Sequence, residues 1–251
     1  GLVDNWSGHE KIFFESFFRK LFIQSCDSFI SFSENVGKNL KNNTNKKVLP
    51  LFHPINSHLP QKISKDEALS NLNLPSKQYI LFIGLIRKYK GVETLINAFH
   101  YVSKENEDLR LIIAGEFYDD INLYKRLVKR KDIEAKVIID NNFLESSKIR
   151  DYISLSDIVV QPYKKASQSG ITPLAYFYDK PLVVSNIEGL KEIIIKDQSG
   201  EIFDETAYNL AISIKNCINP ENNRNYSNNI SKSKRKYSWS RFVEKFIAFI
   251  D

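Results

Sequence analysis

Between positions 78 and 186 the chain alternates between two textures. Short unbroken apolar runs, "QYILFIG", "LRLIIAG", "AKVIID", "DIVVQP" and "PLVVSN", are separated by "GVETLINAFHYVSK", "INLYKRLVKR", "SSKIRDYISLS" and "ITPLAYFY". Continuous runs, rather than apolar-polar alternation, predict strands covered on both faces. The segments between them carry apolar residues every three or four positions and predict helices. Strand-helix alternation joins its neighbours by right-handed crossovers, so the expected fold class is α/β with a doubly wound parallel sheet.

The flanks are less regular. "KIFFESFFRKLFIQS" has helical spacing, "DSFISFS" reads as a short strand, "SENVGKNLKN" as a helix capped by Ser33, and "NKKVLPLFHP" as a strand ended by Pro54. These elements are too few for an independent core. The polar "INSHLPQKISKD" reads as a linker. Helical patterns return at 205–218 and 238–250, and the Asn-rich "NPENNRNYSNNISKSKRK" between them has no apolar period.

Composition narrows the classes. The chain has 251 residues, 42% hydrophobic and 26% charged, which is globular. No apolar run reaches the ~20 residues of a membrane span. It begins with glycine and contains no methionine, so we expect a fragment or a processed chain. Cys26 and Cys217 match no redox or metal spacing, and four scattered histidines suggest no metal cluster. The net charge of +6 suits phosphate-bearing small ligands, an acidic membrane surface or nucleic acid. No zinc-finger spacing, RNA-binding aromatic signature or basic tail favours nucleic acid.

Two turns follow strands at the edge where parallel sheets bind ligands. In "LFIGLIRKYKG", Gly84 permits a tight turn, Arg87 offers a fork of donors, Lys90 a compact charge, and Gly91 opens the next helix. In "PYKKASQSGITPLAYF", a helix is expected to begin near Gly170, with Pro173 in its first turn. Free N–H groups at Ser169, Gly170, Ile171 and Thr172 would then form an anion site. Neither GxGxxG nor GxxxxGK[ST] occurs, which argues against an NAD enzyme and a P-loop NTPase.

These pieces, together with "LIIAGE", "KPLVVSNIEGLKEII" and "SGEIFD", resemble in order and spacing the C-terminal half of a retaining GT-B glycosyltransferase of the group 1 (family 4) type. That family includes enzymes like sucrose synthase and phosphatidylinositol mannosyltransferase, and the likeness here is to its bacterial polysaccharide-type members. The resemblance implies a GT-B fold. Residues 58–236 would be a Rossmann-like nucleotide-sugar domain, residues 1–57 the remnant of the N-terminal acceptor domain, and 237–251 a helix crossing back toward it. It also implies hexose transfer from a UDP- or GDP-sugar to a glycan or lipid-linked acceptor, with retention and without a required metal. Arg87 and Lys90 would hold the diphosphate and act in catalysis. Ser169 to Thr172 would cradle the distal phosphate and sugar beside Gly84, and Gly115, Glu116, Asn142 and Phe143 would flank the nucleoside. The expected setting is cytoplasmic, at the inner membrane face, with peripheral membrane association and no nucleic-acid partner.

The sequence departs from the family in one informative place. Relatives carry two glutamates about eight positions apart here, and the matching positions are Ala166 and Leu174. In those relatives the first glutamate helps position the sugar and the second contacts the ribose; a bacterial branch also reads "QSG", which implies that Gln168 and Ser169 take over part of that role. The missing glutamates favour a second reading, a non-catalytic nucleotide-sugar-binding or scaffold protein; the retained Arg87 and Lys90 speak against it. A GT-B sugar-nucleotide epimerase is a third reading, although its usual motifs are absent. His9, in "GHE", is expected to be an ordinary surface or capping histidine. Lys191 and Glu192, in "EGLKE", are expected to shape the turn after "PLVVSN".

Overall fold

The computed structural model describes residues 1–3, 15–56 and 58–251, with only the backbone of residues 15 and 16. Two parallel sheets organise them. The smaller joins β1 (Leu2–Val3), β2 (Ser28–Ser31) and β3 (Lys47–Pro50) in that order, with helices α1 (Glu15–Ser25) and α2 (Glu34–Lys41) between them in the chain. Its buried cluster is Val3, Phe29, Val36, Leu40 and Val48. α1 leaves Phe17, Phe18, Leu21 and Phe22 exposed.

After α3 (Lys65–Leu72) comes the larger unit: β4 (Gln78–Ile83), α4 (Val92–Glu105), β5 (Leu109–Ala114), α5 (Ile121–Arg130), β6 (Val137–Asp140), α6 (Ser146–Leu155), β7 (Ile158–Gln161), α7 (Ile171–Phe177), β8 (Leu182–Ser185), α8 (Glu188–Asp197) and β9 (Gly200–Phe203). The chain continues through α9 (Ala207–Ile218), α10 (Pro220–Ser233) and α11 (Trp239–Ile250). The large sheet runs β6-β5-β4-β7-β8-β9, every pair parallel. Leu81, at its centre, pairs with Ile112 on one side and Val159 on the other. Tyr79, Ile80 and Leu81 are wholly buried, as continuous apolar strands must be when helices cover both faces.

Connectivity fixes where a ligand can enter. From β4 the chain builds outward to β6, then returns to the other side of β4 as β7 and builds to β9. The reversal lies between β4 and β7, and the crevice beyond their carboxyl ends is the natural ligand site of such a sheet. Both turns singled out in the sequence leave from those two strand ends.

Four elements escaped the apolar pattern. α3 and α10 bury only Ala68 and Leu69, and Ile230 and Ser233, so neither shows a stripe. Caps hold them instead. The Ser64 hydroxyl accepts from the Glu67 amide, and Asn219 Oδ1 accepts from the amides of Glu221 and Asn222, with Pro220 in the first turn. The Asn-rich segment therefore is a helix, and Asn223 Nδ2 ties it to the carbonyls of Asp157 and Cys217. "EGLKE" likewise lies in α8, beside the turn after β8, and "GEIF" forms the edge strand β9. Among the described residues, no helix is long and apolar enough to cross a membrane.

Several contacts join the two sheets. The Glu192 carboxylate accepts from the Glu34 and Asn35 amides, 3.1 and 3.0 Å away, at the start of α2. A helix N-terminus carries unpaired donors and partial positive charge, which an acidic side chain satisfies. Phe242 of α11 lies 6.0 Å, ring to ring, from Phe32. The Ile55 amide donates to the Tyr237 carbonyl at 2.8 Å.

Candidate active site

Close backbone contacts fix the turn after β4. At Gly91 φ is +69°, and a Cβ there would lie 1.8 Å from the Pro162 carbonyl oxygen, so only glycine fits where this turn crosses the one after β7. The Lys164 amide donates to the Tyr89 carbonyl at 2.7 Å and fastens the same crossing. On the other side, a Cβ at Gly115 would meet the Gly84 carbonyl oxygen at 2.1 Å. That glycine lets the turns after β4 and β5 lie against each other, with Gly84 itself at φ +122°.

Lys90 is aimed by this frame. Its Nζ sits 4.7 Å from the centre of the Tyr163 ring and 3.4 Å from the Tyr163 hydroxyl. Burial, and Arg87 nearby, hold the Lys90 ammonium below the usual lysine value. Burial pushes the Tyr163 hydroxyl the other way, up, so it stays protonated. No carboxylate is paired with Lys90 among the described residues. A half-buried cation at a ligand crevice without an acidic partner suits an incoming anion. The Arg87 guanidinium lies over the Tyr118 ring at 5.0 Å, displaced toward β5.

The second turn differs from its expectation. α7 is short, and two of its four leading amides are already used: Ile171 N donates to Ser169 Oγ and Thr172 N to the Ser169 carbonyl, both at 3.2 Å. The physical reason is Ser169, whose short side chain folds back onto the helix start. Only the Ser169 and Gly170 amides lack a partner among the described residues. The Thr172 hydroxyl is buried against Gln161, at 3.1 Å from Nε2, and does not face the crevice.

Lys90, Gln168, Ser169, Gly170 and Ile171 together line a cleft of about 390 Å³, with Leu85, Tyr89, Tyr163, Lys165, Ala166 and Ser167. Among the described residues, no Asp or Glu lines it. The other nominated residues continue along the sheet edge. Ile86 bridges to Phe117, and the Phe117 amide donates to Asn141 Oδ1 at 3.0 Å. Glu116 accepts from the Ile86 amide through its carbonyl. Phe143 is 76% exposed, an unusual place for a phenyl ring. Asn142 Nδ2 donates to buried Asp140 at 2.5 Å. Burial would raise that carboxyl, but hydrogen bonds from Lys148, Asn142 and Tyr152 outweigh it and hold it below its usual value.

A second, smaller cavity of about 30 Å³ lies between the sheets, lined by Phe32, Phe52, His53, Gln168, Ser169, Pro173, Tyr176 and neighbouring residues. Gln168 and Ser169 border both cavities. Sequence reasoning did not single out Tyr163 or His53. Tyr163 was signalled by its place directly after the strand-ending Pro162; His53, in a connector, carried no signal. His9 lies outside the described residues. Lys191 Nζ holds Asn186 Oδ1 at 2.9 Å, bracing the turn after β8, whereas Glu192 reaches α2 instead. Among the described residues, no group of three or more His, Cys, Asp or Glu is placed to hold a metal ion.

Comparison with known proteins identifies the fold and the family. An uncharacterized glycosyltransferase of Methanocaldococcus jannaschii is 24% identical over 247 residues, 93% of this chain and 60% of that protein. The structure of sucrose-phosphate synthase from Thermosynechococcus elongatus superposes with a TM-score of 0.77 at 18% identity, over 91% of this chain and 58% of that one. That of Anabaena HepE in complex with UDP-glucose gives 0.77 at 14% identity, over 91% and 64%. The fold is thus GT-B, and the chain spans about 60% of the length of the curated relative. The family model for glycosyl transferases group 1 matches residues 64–237, and the chain belongs to that family.

Proposed function

We propose that this chain carries the donor-binding half of a retaining hexosyltransferase, which takes a UDP- or GDP-sugar and delivers the sugar to a glycan or lipid-linked acceptor. The observation that carries the reading is Lys90, a half-buried ammonium at the switch point, opening on a cleft whose lining among the described residues has no carboxylate. When the bond to the anomeric carbon breaks, negative charge grows on the departing nucleoside diphosphate. Lys90 and Arg87 neutralise that charge in place of a metal ion, most strongly at the transition state. The Ser169 and Gly170 amides take the distal phosphate. Glu116, Asn142 and Phe143 flank the nucleoside, with the Phe143 ring free to stack on the base. The UDP-glucose complex of HepE supports the donor class.

The test is thermal stabilisation by UDP, GDP and ADP, with and without Mg²⁺. Selective stabilisation by one of them, lost in Lys90→Ala, is expected. A shift that Lys90→Ala leaves intact would overturn the assignment. Retention is checked by the anomeric configuration of product formed by the protein together with an acceptor-binding half. Alone, this chain is expected to bind donor and transfer nothing.

Ala166 and Leu174, both without carboxylates, favour the second reading: a nucleotide-sugar-binding protein without transfer activity. Donor turnover, measured as sugar release or transfer, separates the two.

A further inference from the structure

The chain passes between the two sheets at 51–55 and again at 234–238, where the Ile55 amide meets the Tyr237 carbonyl. Beside this double crossing lies a cavity of about 90 Å³ that shares no lining residue with the donor cleft. Phe52, Tyr237 and Phe242 form aromatic walls, and Lys196, Lys236, Arg241 and Lys245 stand around its mouth. Among the described residues, the one carboxylate in its lining is the exposed Glu34.

The four cations come from three elements. Lys196 belongs to α8, Lys236 to the short helical turn Lys234–Tyr237, and Arg241 and Lys245 to α11. Two of them have acidic neighbours. Lys236 Nζ lies 3.4 Å from Oδ1 of Asp197, whose side chain is wholly buried. Arg241 Nη1 donates to Glu244 at 2.7 Å, which leaves the rest of its planar fork open. Lys196 rests over the Phe52 ring at 5.3 Å, and among the described residues neither it nor Lys245 is paired with a carboxylate. Arg241 and Lys245 are also four apart on one helix, a like-charge pair that costs stability unless an anion sits between them. The volume is several times what one water needs and suits a tetrahedral phosphoryl group.

We propose that this cavity is a second anion site, separate from the donor cleft, that takes the phosphoryl group of a phosphomonoester. Lys196, Lys245 and the open side of the Arg241 guanidinium are its donors. The charge-assisted bonds they make are the strong kind, and the aromatic walls limit screening by water. A dianion held there ties α8 to α11 across the joint. Its source is either a free phosphate compound or the monoester headgroup of a lipid, since both present the same group.

The experiment is calorimetric titration of the whole chain with inorganic phosphate and with glycerol 3-phosphate at fixed ionic strength. It is repeated with Lys90→Ala, with the double variant Lys196→Gln/Lys245→Gln, and with Lys196→Arg/Lys245→Arg. Phosphate should bind the wild type and Lys90→Ala alike. The glutamine pair should weaken binding at least tenfold without lowering the melting temperature, because both side chains are exposed, and the arginine pair should restore it. No binding to the wild type, or binding that the glutamine pair leaves intact, would overturn the site. Binding lost in Lys90→Ala would also overturn it, because the phosphate would then occupy the donor cleft. Sedimentation with phosphatidylcholine vesicles, with and without phosphatidic acid, distinguishes the sources. Pelleting that needs phosphatidic acid and is lost in the glutamine pair assigns the group to a lipid; phosphate binding without pelleting assigns it to a free phosphate compound.

Discussion

The turns after β4 and β7 face the same cleft but are built differently. The first, Gly84 to Gly91, is charged and clamped; a side chain at Gly91 would begin 1.8 Å from the Pro162 carbonyl oxygen, and one at Gly115, in the turn after β5, would begin 2.1 Å from the Gly84 carbonyl oxygen. The second, Pro162 to Ile171, brings one exposed lysine, Lys165, to the cleft, and a side chain at Gly170 would meet nothing within 4 Å. One turn supplies a fixed charge. The other supplies backbone amides and polar side chains, some of them satisfied by Ser169 and one, Gln168, by nothing. On the proposed reading, the first turn would hold the diphosphate and the second would face the sugar.

The largest way to break the contrast is at the glycines. Gly91→Ala should destabilise the chain by about 2–4 kcal/mol, because its Cβ strikes a carbonyl in a left-handed conformation. The melting temperature should fall by roughly 5–15 °C. Gly170→Ala, at φ −64° and with open space around it, should change stability by less than about 0.5 kcal/mol. Equal effects of the two substitutions in thermal unfolding would show that the turns are not differently constrained.

Charge comes next. Arg87→Ala and Lys90→Ala should each weaken nucleoside diphosphate binding by about 1.5–3 kcal/mol, roughly 10- to 150-fold. Titration calorimetry measures both. Lys165→Ala, in the second turn on an exposed residue, should cost far less, within about 1 kcal/mol. If Lys165 proved the stronger determinant, the division of labour between the turns would be reversed.

The first turn was legible in the sequence and the second only in part, for a physical reason. Arg87 and Lys90 announce themselves by side-chain charge at a strand end, and Gly84 and Gly91 by backbone need. The second turn depends on which amides remain free, and that depends on whether Ser169 folds back onto Ile171, which composition does not reveal. The same logic divides the fold. The buried strands β4, β5, β7 and β8 are written as apolar runs because helices cover both faces. α3 and α10 are held by Ser64 and Asn219 caps and by Asn223, contacts with no apolar period, so they vanish into polar text. Gln168 was nominated by resemblance alone; its missing hydrogen bond is a property only of the folded chain.

Ser169→Ala sharpens the comparison on a smaller scale. Loss of the Oγ acceptor from the Ile171 amide should cost about 0.5–1 kcal/mol of stability, read from urea unfolding. It also frees that amide. If the second turn serves the phosphate through its backbone, affinity for a nucleoside diphosphate should hold or rise. A loss of more than about tenfold would instead assign the phosphate to the Ser169 hydroxyl.

The smallest effect expected is a pH dependence that belongs to the first turn alone. Burial, then Arg87, lower the Lys90 pKa in the free chain below the usual 10.5. A bound diphosphate opposes that shift, because a nearby anion favours the ammonium. Lys90 is therefore more protonated in the complex than in the free chain over the interval between the two pKa values, and binding takes up protons there. Affinity is full below the lowered value and declines as pH rises through it, by at most tenfold per unit. Calorimetry in buffers of different ionisation enthalpy reads the proton uptake directly. Lys90→Arg keeps the charge and does not titrate in this range, so it should bind with no uptake attributable to this position. Gln168, neutral at every pH, should leave the slope unchanged when replaced by leucine. If Lys90→Arg kept the wild-type uptake, the titrating group would lie elsewhere and Lys90 would lose its place opposite the diphosphate.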